Sequence, residues 1–111
     1  MIEYLFSYGT LQRDDVQLNL FGRHLSGTGD VLKGYEITDI ELSDQTFLSK
    51  GEQKHQRTLT RTNNDGDIIT GTVFEVSFEE LAAADQYEPD GYERVEIGLA
   101  SGKRAWVYLA T

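Results

Sequence analysis

Apolar residues in this sequence come in short runs, and turn-forming residues interrupt nearly every one. That punctuation restricts the chain to short strands folded back on each other. Glu3–Tyr8 reads as the first strand, with Leu5, Phe6 and Tyr8 ahead of Gly9. Gly27-Thr28-Gly29-Asp30 reads as a turn, followed by strand material in Val31-Leu32 and Tyr35–Leu42. Gly34, inside that run, predicts a bulge or sharp bend of the kind that curls a sheet toward closure. Ser49–Gln56 is polar and predicts a loop. Arg57–Thr62 and Ile68–Val76 follow as strands, with Asn63-Asn64-Asp65-Gly66-Asp67 between them as a hairpin signal. Tyr92–Leu99 and Arg104–Leu109 predict a last hairpin around Ser101-Gly102-Lys103.

Helical patterning is confined to two segments. Asp14–Phe21 begins with aspartates, which suit the positive end of a helix. Ser77 and Glu80 have capping-box spacing ahead of Leu81-Ala82-Ala83-Ala84, a stretch of high helix propensity. This helix should end near Tyr87, because Pro89 disfavours helical geometry at Glu88. The expected fold is therefore α+β and β-rich: a small, mainly antiparallel twisted barrel with two short helices. With 111 residues, the chain forms one domain, 1–111, able to bury an ordinary core without staples.

Composition excludes more than it assigns. There are no cysteines, so disulfide frameworks, thiolate metal sites and cysteine nucleophiles drop out. Nineteen acidic against ten basic residues give a formal net charge of −9, which repels nucleic acid and anionic lipid alike. Met1-Ile2-Glu3 opens no signal-peptide pattern, and no apolar run is long enough to cross a membrane. These features suit a cytoplasmic protein with neither nucleic-acid nor membrane partners. They leave the oligomeric state open.

Few residues carry recognisable chemistry. His24 and His55 lack the neighbours of a ligand set, and no serine sits in a nucleophile elbow. The Asn63–Asp67 segment fails as a calcium loop. With Gly66 at the sixth loop position, Arg61 and Thr72 occupy the first and last ligand positions. No metal site is expected. What remains is the turn in Tyr8-Gly9-Thr10-Leu11 and the acidic corner in Leu81-Ala82-Ala83-Ala84-Asp85-Gln86-Tyr87-Glu88-Pro89-Asp90-Gly91-Tyr92-Glu93-Arg94. Asp85 and Glu88 are three apart and would share a helix face. On physics alone, acids at a helix end are more often solvated than functional.

The two stretches together shift that balance. Tyr-Gly-Thr-Leu after the first strand, with Asp85-x-Tyr87-Glu88 followed by Tyr92-x-Arg94, resembles the γ-glutamylcyclotransferase-like (AIG2-like) family. Leu32–Ile37 is similar to that family's Gly-Tyr strand, and Ile69–Val76 to its strand before the acidic helix. The four segments occur in the family's order across nearly the whole chain.

This resemblance implies an enzyme that cyclises a γ-glutamyl group to 5-oxoproline and releases an amine or amino acid, with no cofactor. It places the general acid/base on Glu88; Asp85 is the alternative, but it precedes the corner, a position that suits orienting or capping better. It also implies that Tyr8, Gly9, Thr10 and Leu11 offer backbone N–H groups to substrate oxygens, and that Tyr92 adds a hydroxyl at the pocket edge. The alternatives are a binding module of the same fold without turnover, or an unrelated barrel used for protein contacts.

Overall fold

The computed structural model describes residues 2–41, 55–88 and 92–110. The first strand, β1 (Ile2–Ser7), passes into a single 3-10 turn at Thr10–Gln12 and then into helix α1 (Asp14–Phe21). Gly22 stops that helix in the left-handed region at φ 72°, its N–H donating to the Leu18 carbonyl at 3.0 Å. The chain continues through β2 (Ser26–Lys33), β3 (Tyr35–Glu41), β4 (His55–Arg61) and β5 (Ile68–Ser77). Helix α2 (Phe78–Tyr87) and the strands β6 (Tyr92–Gly98) and β7 (Arg104–Ala110) complete it.

Five strands form one sheet in the order β2-β5-β1-β7-β6, and β3 pairs with β4 in a second, two-stranded sheet. Every pairing is antiparallel except that of β1 with β7, which run parallel with Leu5 opposite Trp106. The large sheet is therefore mixed, and among the described residues the strands do not close into a barrel. The β-rich α+β class with two short helices holds.

Alternation along the central strands sends side chains to two faces. Leu5, Phe74, Val76 and Tyr108 meet Leu11, Val16, Leu81 and Ala84, so the two helices cover one face. Phe6, Tyr8, Val73, Ile69 and Val107 point the other way, onto Leu59 of β4 with Tyr35 of β3 against them. Leu5, Phe6, Leu81 and Val107 are essentially inaccessible to water. Burying a side chain of this size contributes about 1.5–3 kcal/mol.

Gly34 is the bend between the sheets. It adopts φ 84°, a left-handed conformation that a side chain would strain, and it separates β2 of the large sheet from β3 of the small one. Its N–H donates to the Asp67 carbonyl at 2.8 Å, and its carbonyl accepts from Thr62 N–H at 2.8 Å.

Besides the barrel, three further expectations change. Gly27–Asp30 is extended and belongs to β2, with Gly27 opposite Phe74. A Cβ on Gly27 would lie 2.7 Å from the Phe74 ring, so the glycine makes room for that aromatic and does not turn the chain. The Asn63–Asp67 turn forms, with Asp67 N–H donating to the Asn64 carbonyl at 2.9 Å. It joins strands of different sheets, however, and no hairpin results, because β4 pairs with β3 and β5 with β1 and β2. Of the predicted polar loop Ser49–Gln56, His55 and Gln56 open β4, and the remainder lies outside the described residues.

The second helix forms as the sequence implies. Ser77 Oγ accepts from Glu80 N–H at 3.1 Å and a Glu80 carboxylate oxygen from Ser77 N–H at 2.8 Å, a complete capping box. No helix among the described residues is long and apolar enough to cross a membrane.

Candidate active site

Because β1 and β7 run parallel, their C-terminal ends emerge side by side. β6 runs against β7, so its first residue, Tyr92, pairs with Ala110 at that same end. The residues singled out in the sequence therefore converge from three directions. Tyr8 to Leu11 leave β1, Tyr92 enters β6, and Glu88 follows the last turn of α2.

Tyr8 is buried, and its hydroxyl donates to the Tyr108 carbonyl at 2.9 Å, a bond spanning 100 residues. Gly9 N–H lies 3.4 Å from Ser7 Oγ, and the Gly9 carbonyl accepts from Gln12 N–H at 3.1 Å, closing the 3-10 turn. A Cβ built on Gly9 meets nothing within 4 Å, and Gly9 is not among the positive-φ glycines. Space beside the backbone, and not an unusual φ, is what this glycine supplies. Thr10 opens the 3-10 turn. Leu11 is 3 % exposed and packs into the helix-covered core, while its carbonyl accepts from Gln17 Nε2 at 2.8 Å. The turn is thus fixed by its own side chains and by α1.

Glu88 is the half-buried residue that ends α2, extended at φ −65°, ψ 146°, with its N–H donating to the Ala84 carbonyl at 3.1 Å. Its charge reaches the neighbouring phenols. Burial, and then the Glu88 carboxylate, push the Tyr92 hydroxyl up to about 12. Tyr108 is held well above the usual phenol range by burial first, then by its hydrogen bond to Asp85, with the charges of Asp85 and Glu88 adding to it. Both hydroxyls therefore remain protonated donors at working pH. The turn Pro89-Asp90-Gly91 lies outside the described residues.

Asp85 has a different environment. One carboxylate oxygen accepts from the Tyr108 hydroxyl at 2.6 Å and from Arg94 Nε at 2.9 Å, and the other from Arg94 Nη2 at 3.1 Å. The Arg94 guanidinium lies over the Trp106 ring, 4.4 Å from its centroid. Sequence reasoning had named Arg94 only as part of a motif and had missed Tyr108. The available signal was a tyrosine continuing the inward alternation of β7 beside Trp106, a position where a phenol needs a buried acceptor.

An open groove of about 420 Å3 lies where β1 starts, lined among others by Ile2, Arg23, Ser26 and Glu80. Its arginine and glutamate pair with each other at 2.7 Å, so their charges are already engaged.

The fold and the site together define a class: a small α+β protein on a mixed sheet, with a carboxylate corner beside tyrosine hydroxyls where the parallel strands end. Residues 5–111 match the gamma-glutamyl cyclotransferase, AIG2-like family, and the chain belongs to it. No curated protein matches the sequence.

Solved structures share the fold at low identity. A solution structure from Arabidopsis thaliana is 22% identical with a TM-score of 0.71, over 99% of this chain and 62% of that one. A uropathogenic E. coli-specific protein is 21% identical with a TM-score of 0.69, over 100% of this chain and 80% of that one. A structure named gamma-glutamyl cyclotransferase is 14% identical with a TM-score of 0.72, over 100% of this chain and 68% of that one. The chain thus spans about two thirds of the length of two of these relatives and four fifths of the third.

Proposed function

We propose that this protein cyclises a γ-glutamyl group, forming 5-oxoproline and releasing an amine or amino acid. One observation carries the reading within a family of this kind. A half-buried glutamate at a helix exit stands beside protonated phenols, at the sheet end from which the Tyr8–Leu11 turn emerges.

The chemistry asks for a single proton carrier. The substrate's α-amine is an ammonium near neutral pH and becomes a nucleophile only after losing a proton. Glu88 accepts that proton. The amine nitrogen then bonds to the γ-carbonyl carbon, and the carbonyl oxygen takes on negative charge. Collapse of this intermediate breaks the bond to the departing amine, which takes the proton back from Glu88. The attacking nitrogen gives up its second proton, again through Glu88, so that a neutral lactam N–H remains and the amine departs as an ammonium. The carboxylate ends as it began.

The developing oxyanion and the substrate carboxylate need donors. Backbone N–H groups of Gly9, Thr10 and Leu11 are the candidates, on a turn whose glycine leaves space beside it. The Tyr92 hydroxyl adds a further donor at the rim.

The test is a set of γ-glutamyl amines, amino acids and ε-lysine conjugates incubated with the protein and assayed for 5-oxoproline. Release from at least one is expected. Glu88→Gln should then lose roughly 10²–10⁴-fold in turnover, the usual worth of a positioned acid–base group, while binding that substrate as before. Binding without release by the wild-type protein would make it a binding module.

A further inference from the structure

The Glu88 corner is braced by residues that the proposed chemistry does not use. Asp85 stands in the last turn of α2, at the negative end of the helix dipole, where an acid is unfavourable. No basic residue in that turn offsets it. Compensation comes from another element, through the two-pronged pair with Arg94 of β6. That pair closes a loop from residue 85 to residue 94, and Glu88 lies within it.

The closure is stiffened on both sides. Arg94 is sandwiched between Asp85 and the Trp106 ring, and its side chain is 24% exposed. Tyr108 donates its hydroxyl to Asp85 and accepts the Tyr8 hydroxyl on its own carbonyl. A single residue of β7 is thereby bonded to the helix that presents Glu88 and to the turn that carries Gly9. The helix and the turn are registered against each other through it.

We infer that Asp85, Arg94 and Tyr108 form a positioning clamp that holds the Glu88 carboxylate in register with the Tyr8–Leu11 turn. None of the three is assigned contact with the reacting atoms. The inference rests on the cyclotransferase reading, since it assigns the clamp a purpose in turnover. A structural brace alone would need only to hold the helix end down. A clamp must also fix where the carboxylate points, and small errors there are costly to rate.

Two substitutions separate these roles in the full chain. Arg94→Lys keeps the charge but loses the planar fork, and Tyr108→Phe keeps the ring but loses the donor. Both should lower kcat roughly 10- to 100-fold with KM little changed, as expected for a misplaced group. The 13C carboxyl resonance of Glu88, assigned by its disappearance in Glu88→Gln, should move in both variants without any substrate present. Lowered melting temperatures with an unmoved resonance and unchanged kcat would reduce the three residues to a brace and overturn the inference. If the wild-type protein releases no 5-oxoproline at all, the cyclotransferase reading fails first. The resonance still decides whether Glu88 is held by the clamp.

Discussion

Gly9 stands beside open space, so its mutational signature is separable from folding. A Cβ at position 9 meets nothing within 4 Å, so Gly9→Val should leave the thermal midpoint nearly unchanged. The added branches would fill the space through which a ligand reaches the backbone, so affinity for a γ-glutamyl substrate should fall far more than stability. Melting and calorimetric titration of the same variant check this, and equal losses in both would reduce Gly9 to turn punctuation. At this scale, the sequence showed that two acids lead into a corner but not what each one meets. The partners of Asp85 are 9 and 23 residues away. Local spacing has no access to contacts of that kind.

Among the elements, α2 was the most legible and β2 the least, for the same reason. The stop and start signals of α2 lie within its own residues, Ser77 and Glu80 at one end and Glu88 before Pro89 at the other. Two glycines in β2 looked like a turn because the ring above Gly27 belongs to Phe74, far along the chain. Likewise, the Asn63–Asp67 signal located a turn correctly, while β4 took its partner from β3, on the far side of the bend at Gly34.

The cap of α2 also carries a pH dependence. Glu80 accepts from both Arg23 Nε at 2.7 Å and Arg23 Nη2 at 2.8 Å while closing the capping box. The Arg23 guanidinium first, and the Ser77 amide after it, hold this carboxyl below the ordinary value of 4.5. A depressed carboxyl stabilises the fold fully above its unfolded value and loses that contribution as pH falls through the folded one. Glu80→Gln should therefore cost about 1 kcal/mol at neutral pH, as is usual for a helix cap. The difference from wild type should shrink as pH drops below about 4, the free glutamate range. Urea melts at neutral and acid pH would show this, and a deficit independent of pH would assign the loss to packing alone.

Across the whole molecule, the five-stranded sheet depends on close approach at its centre. A Cβ on Gly71 of β5 would lie 2.5 Å from the Ser7 carbonyl and 2.7 Å from the Phe6 ring, where β1 ends. Gly71→Ala should push β5 from β1 and cost about 1–3 kcal/mol, in the manner of an overpacked core. Chemical denaturation measures that loss, and a neutral result would mean that the sheet can shift to accept the methyl group.

The parallel pairing of β1 with β7 has a kinetic consequence. Tyr8 and Tyr108 meet across 100 residues, so the chain must close a very long loop before the two strand ends can adjoin. Such non-local pairing is entropically expensive and tends to form slowly. A polypeptide emerging from the ribosome cannot assemble the proposed site until β7 has been made, however well its helices have formed. Ligand capture would therefore mark the end of folding, and the site should appear in refolding experiments later than helical dichroism.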